Sequence, residues 1–511
     1  MKKSTANKGK LYLVSNAHLD TQWNWTIKDT IRDCVKNTLE RNFELFEKYP
    51  AYRMNFEGAF RYKLAKEYYP DLYEKLKDYV ADGHWNVSGS TWDAMDANVP
   101  SSEALMRQVL LGNGFFEKEF GKKSADIFLA DCFGFRYALP SIAAHMGLSG
   151  FHTQKLVWGA GSPILHTDGS VTEPLPGGGN VRMDLGRWVG PDGNGVYVSL
   201  LEGNYTYNFE NDGETPIHRR EEYLRDIEHN EKYAGTAKRS MYYGTGDYGG
   251  SCKESSARMV QEAVDANGSD DSLFDVISAS TDQIFLELTD EEKKNLPVYD
   301  GMLLIPHGYG AMTSHTINKR WNRKAELLAD TTERLCMMAH LRCGRPYPKE
   351  KIRDAWELLL WHQFHDDLPG TSIAPAYEFS YNDYALCFNL LSSELKGAMR
   401  ALCATLDTTG DGTVLAVFNP TSVTRRDPVT VRLPGCGALT AIGPNGEVLP
   451  VQQIGEEVTI LPTLAPLSVG TIRLVEGAAA PAVVVAGGIK GSAECAHGAL
   501  QLGRKQVKQR A

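Results

Sequence analysis

From residue 11 to about residue 300, short apolar runs alternate with longer amphipathic segments, and this alternation limits the fold more than any other feature. Residues 11–14 (LYLV), 126–130 (DIFLA) and 241–243 (MYY) read as buried strands, and 84–89 (HWNVSG) as another. Residues 31–48, 59–80, 101–120 and 139–146 space charges between apolar positions and read as helices. Strands alternating with helices predict an α/β fold, a parallel sheet flanked by helices. Functional groups then belong at the carboxyl ends of the strands. His18, Asp131 and Asp247 each fall just past such an end.

Each of these positions carries some chemistry of its own. In AHLDTQWNW, His18 and Asp20 lie two apart in extended backbone and point to the same side, as two ligands of a divalent ion would. H-x-D alone more often describes two solvated side chains, but Trp23 and Trp25 beside it resemble a pocket wall. Asp131, in DCFGF, follows a buried strand and suits a metal ligand, a nucleophile or a helix cap. In WHQFHDDLPGT, His362 and His365 fall three apart on a helix that Pro369 and Gly370 terminate. Histidines there also suit the helix dipole, and the H-E-x-x-H of zinc proteases is absent. GTGDYGG, residues 244–250, lacks a phosphate-loop lysine and reads as a turn presenting Asp247 beside Tyr248.

The rest of the chain changes character twice. Residues 158–208 are rich in Gly, Pro and Asn and read as loops with short strands. Residues 319–342, 351–365 and 377–406 have helical rhythm and predict a three-helix bundle. After 407–412, the runs 414–419, 429–433 and 459–461 predict the first strands of a β-sandwich. A net charge of -10 without a basic stripe excludes a nucleic-acid partner. Nine dispersed cysteines without C-x-x-C indicate reduced thiols, and no run suits a signal peptide or a membrane span. The expectation is a soluble, cytoplasmic protein without a membrane partner.

Five stretches together carry a resemblance: AHLDTQWNW (17–25), GHWNVSGSTWDAMDANVPSSEALMRQ (83–108), DCFGFRYALPSIAAHMGL (131–148), FHTQKLVWG (151–159) and QFHDDLPGTS (363–372). In this order they resemble the glycoside hydrolase family 38 α-mannosidases, the bacterial and cytosolic branch most closely, over residues 10 to 430. The resemblance implies a seven-stranded, mainly parallel β/α barrel-like catalytic domain (1–310), the three-helix bundle (311–408) and a partial β-sandwich (409–511). It implies one zinc ion per chain, with cobalt as an alternative, held by His18, Asp20, Asp131 and His365. Asp131 would double as the nucleophile of a retaining mechanism, and Asp247 best matches the acid/base. Trp23, Trp25, Trp92, Asp93, Phe133, Lys155 and Tyr309 are the expected sugar contacts, and a mannose-containing oligosaccharide the expected partner. A homo-oligomer is compatible with the resemblance. The family continues well beyond this length, so the chain is expected to be C-terminally truncated. The alternatives are a metal-dependent carbohydrate deacetylase and a catalytically silent sugar-binding homologue.

Overall fold

The structure, a computed structural model, describes residues 8–157, 164–165, 171–172, 183–200, 203–210, 215–303 and 305–477. They divide into two compact units, Met1–Ala329 with Lys349–Leu391 and Asp330–Pro348 with Ser392–Ala511.

In the first unit the strands are β1 (Lys10–Ala17), β2 (Met54–Glu57), β3 (Trp85–Ser88), β4 (Asp126–Phe128), β5 (Gly150–His152), β6 (Ile164–Leu165), β7 (Val171–Thr172), β8 (Leu185–Val189), β9 (Gly195–Ser199), β10 (Lys238–Thr245), β11 (Asp275–Ser278) and β12 (Val298–Asp300). β1 is the organising strand. It runs parallel to β10 from Lys10 opposite Lys238 to Ala17 opposite Thr245, and also pairs with β11 and, near its end, with β2. β3 extends this sheet beyond β2. A second sheet has the order β12-β8-β9-β5-β4 and is parallel except between β8 and β9. The α/β class therefore holds, and among the described residues the strands of this unit pair as two five-stranded sheets and a two-stranded one, β6 with β7.

Every residue of β1 from Leu11 to Ala17 is buried, which is why it reads as a continuous apolar run and not an alternating one. Its polar residues find partners: the Asn16 amide donates to the carbonyls of Tyr205 (3.0 Å) and Tyr243 (3.2 Å). Tyr12 and Val14 pack with Phe128, Ala130, Tyr242 and Phe285. A larger core gathers Leu129, Phe135, Phe151, Trp188 and Leu303 around the second sheet.

The helices read from the sequence form, though 31–48 opens with a π-helical stretch, Thr30–Val35. Glu221–Ala234 and Glu254–Asp265 are helices where none was read, and two more departures have a physical cause. The segment 59–80 is two helices, Ala59–Tyr68 and Pro70–Asp82, because Pro70 has no N–H to continue the first. The helix Lys349–Trp361 stops before His362, four residues earlier than its rhythm suggests. The helix Ser102–Phe120 starts where Ser101 accepts from the Ala104 N–H. It carries Gly112, where a Cβ would meet the Ser90 carbonyl oxygen at 2.3 Å. Only glycine lets this helix lie directly on the backbone leading to Asp93.

In the second unit, Thr413–Asn419, Ser468–Glu476, Leu439–Ile442 and Val448–Leu449 form one antiparallel sheet, and Val429–Arg432, Glu457–Ile460 and Val451–Ile454 another. Val417, Ala441, Val458, Ile460, Ile472 and Leu474 are the core between them.

Candidate metal and catalytic centre

The parallel register explains how distant residues meet. Because Ala17 lies opposite Thr245, both chains leave their strands at one edge, with His18 to Asp20 beside Gly246 and Asp247. Three backbone bonds hold the two segments together: His18 N–H to the Thr245 carbonyl (3.0 Å), Asp20 N–H to that of Asp247 (2.7 Å), and Gly249 N–H to that of His18 (3.1 Å). Asp247 adopts φ 62°, a left-handed conformation that aspartate accepts more readily than most residues. Asp131 arrives three residues after β4. His365 arrives in a turn whose backbone pairs with 94–96, His365 N–H donating to the Ala94 carbonyl (3.1 Å).

One ligand atom from each of His18, Asp20, Asp131 and His365 lies within 4.8 Å of all the others, and all four residues are buried. His18 Nε2 is 3.0 Å from an Asp20 oxygen. His365 Nε2 lies 3.3 Å from the same oxygen and 3.6 Å from Asp131, and it makes no hydrogen bond. A buried imidazole nitrogen left over beside two carboxylates fits a cation better than it fits a closed polar network. Two nitrogens and two carboxylate oxygens are a donor set that zinc accepts. Each histidine is oriented through its other nitrogen: His18 Nδ1 bonds Glu57 at the end of β2, and His365 Nδ1 donates to the Ala94 carbonyl (2.9 Å).

A cavity of about 610 Å³ opens over this cluster. It is lined by Asp20, Trp23, Asp131, Phe133, Gln154 and Lys155, by Gly203 to Thr206, and by Asp247, Asp366 and Thr371. Burial resists the ionisation of Asp131, but the His365 ring and the Lys155 ammonium bonded to it hold the carboxyl well below the usual range. Burial and the charge of Asp20 push Asp247 the other way, up from the ordinary value. Burial, and again Asp20, push Asp366 up to about 7. The Tyr205 hydroxyl lies between two of these carboxylates, 3.1 Å from Asp131 and 3.0 Å from Asp247. Two carboxylates held at opposite protonation tendencies across one cavity can divide the work of nucleophile and acid.

Other expected residues lie elsewhere. Trp25 is 6% exposed and supports the Tyr248 ring, with centroids 4.0 Å apart. Trp92 is buried against Phe60 and Phe115, away from this cavity. Asp93 is fully buried and pairs with Arg61 at 2.8 Å, accepting also from the Thr21 hydroxyl and the Ala94 N–H. Burial raises its carboxyl above the usual range against the pull of Arg61. The same guanidinium holds the Leu19 carbonyl (2.8 Å), between His18 and Asp20, and the Glu57 carbonyl (3.0 Å). Asp93 thus belongs to the support beneath the cluster. His362 bonds Asp367 and Asp383 and stays out of it. The side chain of Tyr309 lies outside the described residues. Tyr205, Glu57, Asp366 and Gln154 join the site without having been expected there. Glu57 had a usable signal, a carboxylate closing a strand, whereas Tyr205 sits in a loop without one.

Two family models match the chain: the Glycosyl hydrolases family 38 N-terminal domain over residues 8–302 and the Alpha mannosidase middle domain over residues 309–402. The chain is similar to Alpha-mannosidase G of Dictyostelium discoideum, 30% identical over 369 residues, which are 72% of this chain and 31% of that protein. It is also similar to Alpha-mannosidase 2C1 of Homo sapiens, 28% identical over 395 residues, 77% of this chain and 35% of that one. The chain therefore spans about a third of the length of these curated relatives. An alpha-mannosidase from Enterococcus faecalis V583 has a similar fold, with TM-score 0.72 and 18% identity over 95% of this chain and 57% of its own.

Proposed function

The chain belongs to glycosyl hydrolase family 38, and from that premise we propose that it is a zinc-dependent, retaining α-mannosidase acting on terminal α-mannosyl residues of glycans or oligosaccharides. The observation that carries this reading is the convergence of His18, Asp20, Asp131 and His365 under a cavity that Asp247 also lines. In it, Asp131 attacks the anomeric carbon while Asp247 gives its proton to the departing oxygen, leaving mannose esterified to Asp131. Asp247, now ionised, takes a proton from water, which displaces Asp131 and releases mannose with its configuration retained. The surroundings of each carboxylate suit its role. Asp131 stays ionised as a nucleophile, and Asp247 holds a proton to higher pH than an ordinary carboxyl. Sharing the Tyr205 hydroxyl keeps their oxygens no farther apart than two hydrogen bonds end to end. That favours the ~5–5.5 Å of retaining enzymes over the ~6.5–9.5 Å of inverting ones.

His18, Asp20, Asp131 and His365 would hold the zinc, which when bound supplies a Lewis acid toward the sugar hydroxyls and favours a distorted ring. Trp23 and Phe133 offer apolar walls, and Gln154, Lys155, Asp366 and Thr371 polar contacts, within the same cavity. All eight described cysteines are free, which supports a cytoplasmic location. No described helix is long and apolar enough to cross a membrane. Metal analysis with an aryl α-mannoside assay on the purified chain tests the whole reading. One zinc per chain with mannose release is expected, and a metal-free chain without turnover overturns it.

A further inference from the structure

Tyr248 follows the proposed acid Asp247, which lines the cavity, and is 59% exposed, a large aromatic ring left in solvent. It is held rigidly. One face lies on the Trp25 ring at a centroid distance of 4.0 Å and 19° between planes. Trp25 is itself buried and fixed by its indole N–H donating to the Thr30 hydroxyl at 2.9 Å. The Tyr248 backbone bridges to Leu19, and its N–H donates to the Gly246 carbonyl at 2.7 Å. Trp23, a wall of the cavity, meets Trp25 edge-on at 6.0 Å, so three aromatic side chains lead from the cavity to the surface. A ring pinned on one face and open on the other, in a turn strained at Asp247, has given up the burial that would stabilise an ordinary tyrosine.

An acid that protonates the departing oxygen must lie beside that oxygen. Whatever is attached to the far side of the oxygen then lies over the residues next to the acid. We propose that Tyr248, backed by Trp25, is the platform on which the leaving group stacks, and that it selects substrates whose leaving group is a ring, a pyranose or an aryl group. This deepens the α-mannosidase reading and rests on it.

The test uses the full chain with two substrates whose leaving groups depart without protonation: 2,4-dinitrophenyl α-mannoside, which carries a ring, and α-mannosyl fluoride, which carries none. Neither needs Asp247 as an acid, so disturbance of the acid by the neighbouring substitution cancels from their comparison. For Tyr248→Ala, kcat/KM for the dinitrophenyl substrate relative to the fluoride is expected to fall about three- to tenfold, the scale of one aromatic contact. Tyr248→Phe, which keeps the ring, should restore the wild-type ratio. A ratio unchanged in Tyr248→Ala, whether both rates fall together or neither does, overturns the platform. A wild-type chain that hydrolyses neither substrate overturns the mannosidase reading, and the platform with it.

Discussion

The Arg61–Asp93 pair beneath the metal cluster supports a quantitative prediction. Arg61→Met keeps the length and apolar stem of the side chain but removes the cation from a fully buried carboxylate. It also removes donors from the carbonyls of Leu19 and Glu57. Breaking a buried pair by deleting one partner costs about 3–5 kcal/mol, because the remaining charge has nowhere to be solvated. Urea unfolding followed by tryptophan fluorescence is the assay, since all eight described tryptophans lie between residues 23 and 361 and within the first compact unit. The double variant Arg61→Met/Asp93→Asn should be more stable than Arg61→Met alone, because no unpaired charge is left behind. A loss below about 1 kcal/mol, the scale of a solvated surface pair, would refute the reasoning. So would a double variant no more stable than the single one.

Three further outcomes follow from the site. Asp131→Ala should abolish hydrolysis of an aryl α-mannoside, and unchanged turnover would sink its assignment as nucleophile. Glu57→Gln should weaken zinc about 10- to 100-fold in chelator competition by removing the charge that orients His18; an unaltered dissociation constant would leave Glu57 without that role. Tyr205→Phe should move the alkaline limb of the pH–kcat/KM profile upward. Asp247 works protonated and fails as pH rises through its pKa, and the Tyr205 hydroxyl lowers that pKa by stabilising the carboxylate. A limb that stays or moves down would contradict the assignment of Asp247.

A parallel sheet delivers chemistry at strand ends, and β1, β4 and β10 end within three residues of their apolar runs, which made His18, Asp131 and Asp247 legible; His365 came only from the family resemblance. It missed β2, only four residues long between two helices, and so missed Glu57. Trp92 and Asp93 share a stretch rich in motif-like residues, and nothing local distinguishes a carboxylate facing sugar from one locked on Arg61. The helix ending at Trp361 was hidden for a tertiary reason. Backbone bonds from Asp96 N–H to the Gln363 carbonyl (2.7 Å) and from His365 N–H to the Ala94 carbonyl replace the helical pattern. A distant segment outcompeted local propensity there. Tyr205 left no trace at all, since its place depends on where a loop rich in Gly and Asn passes over two carboxylates.

The chain leaves the first unit at Asp330 and re-enters it at Lys349. Anyone excising a minimal catalytic piece would be tempted to cut near 302, where the N-terminal family match ends. That product would keep three of the four donors and lose His365, together with the turn that pairs with Ala94. The smallest excised piece able to bring the four donors together must therefore extend past residue 365, carrying the intervening helical excursion as cargo.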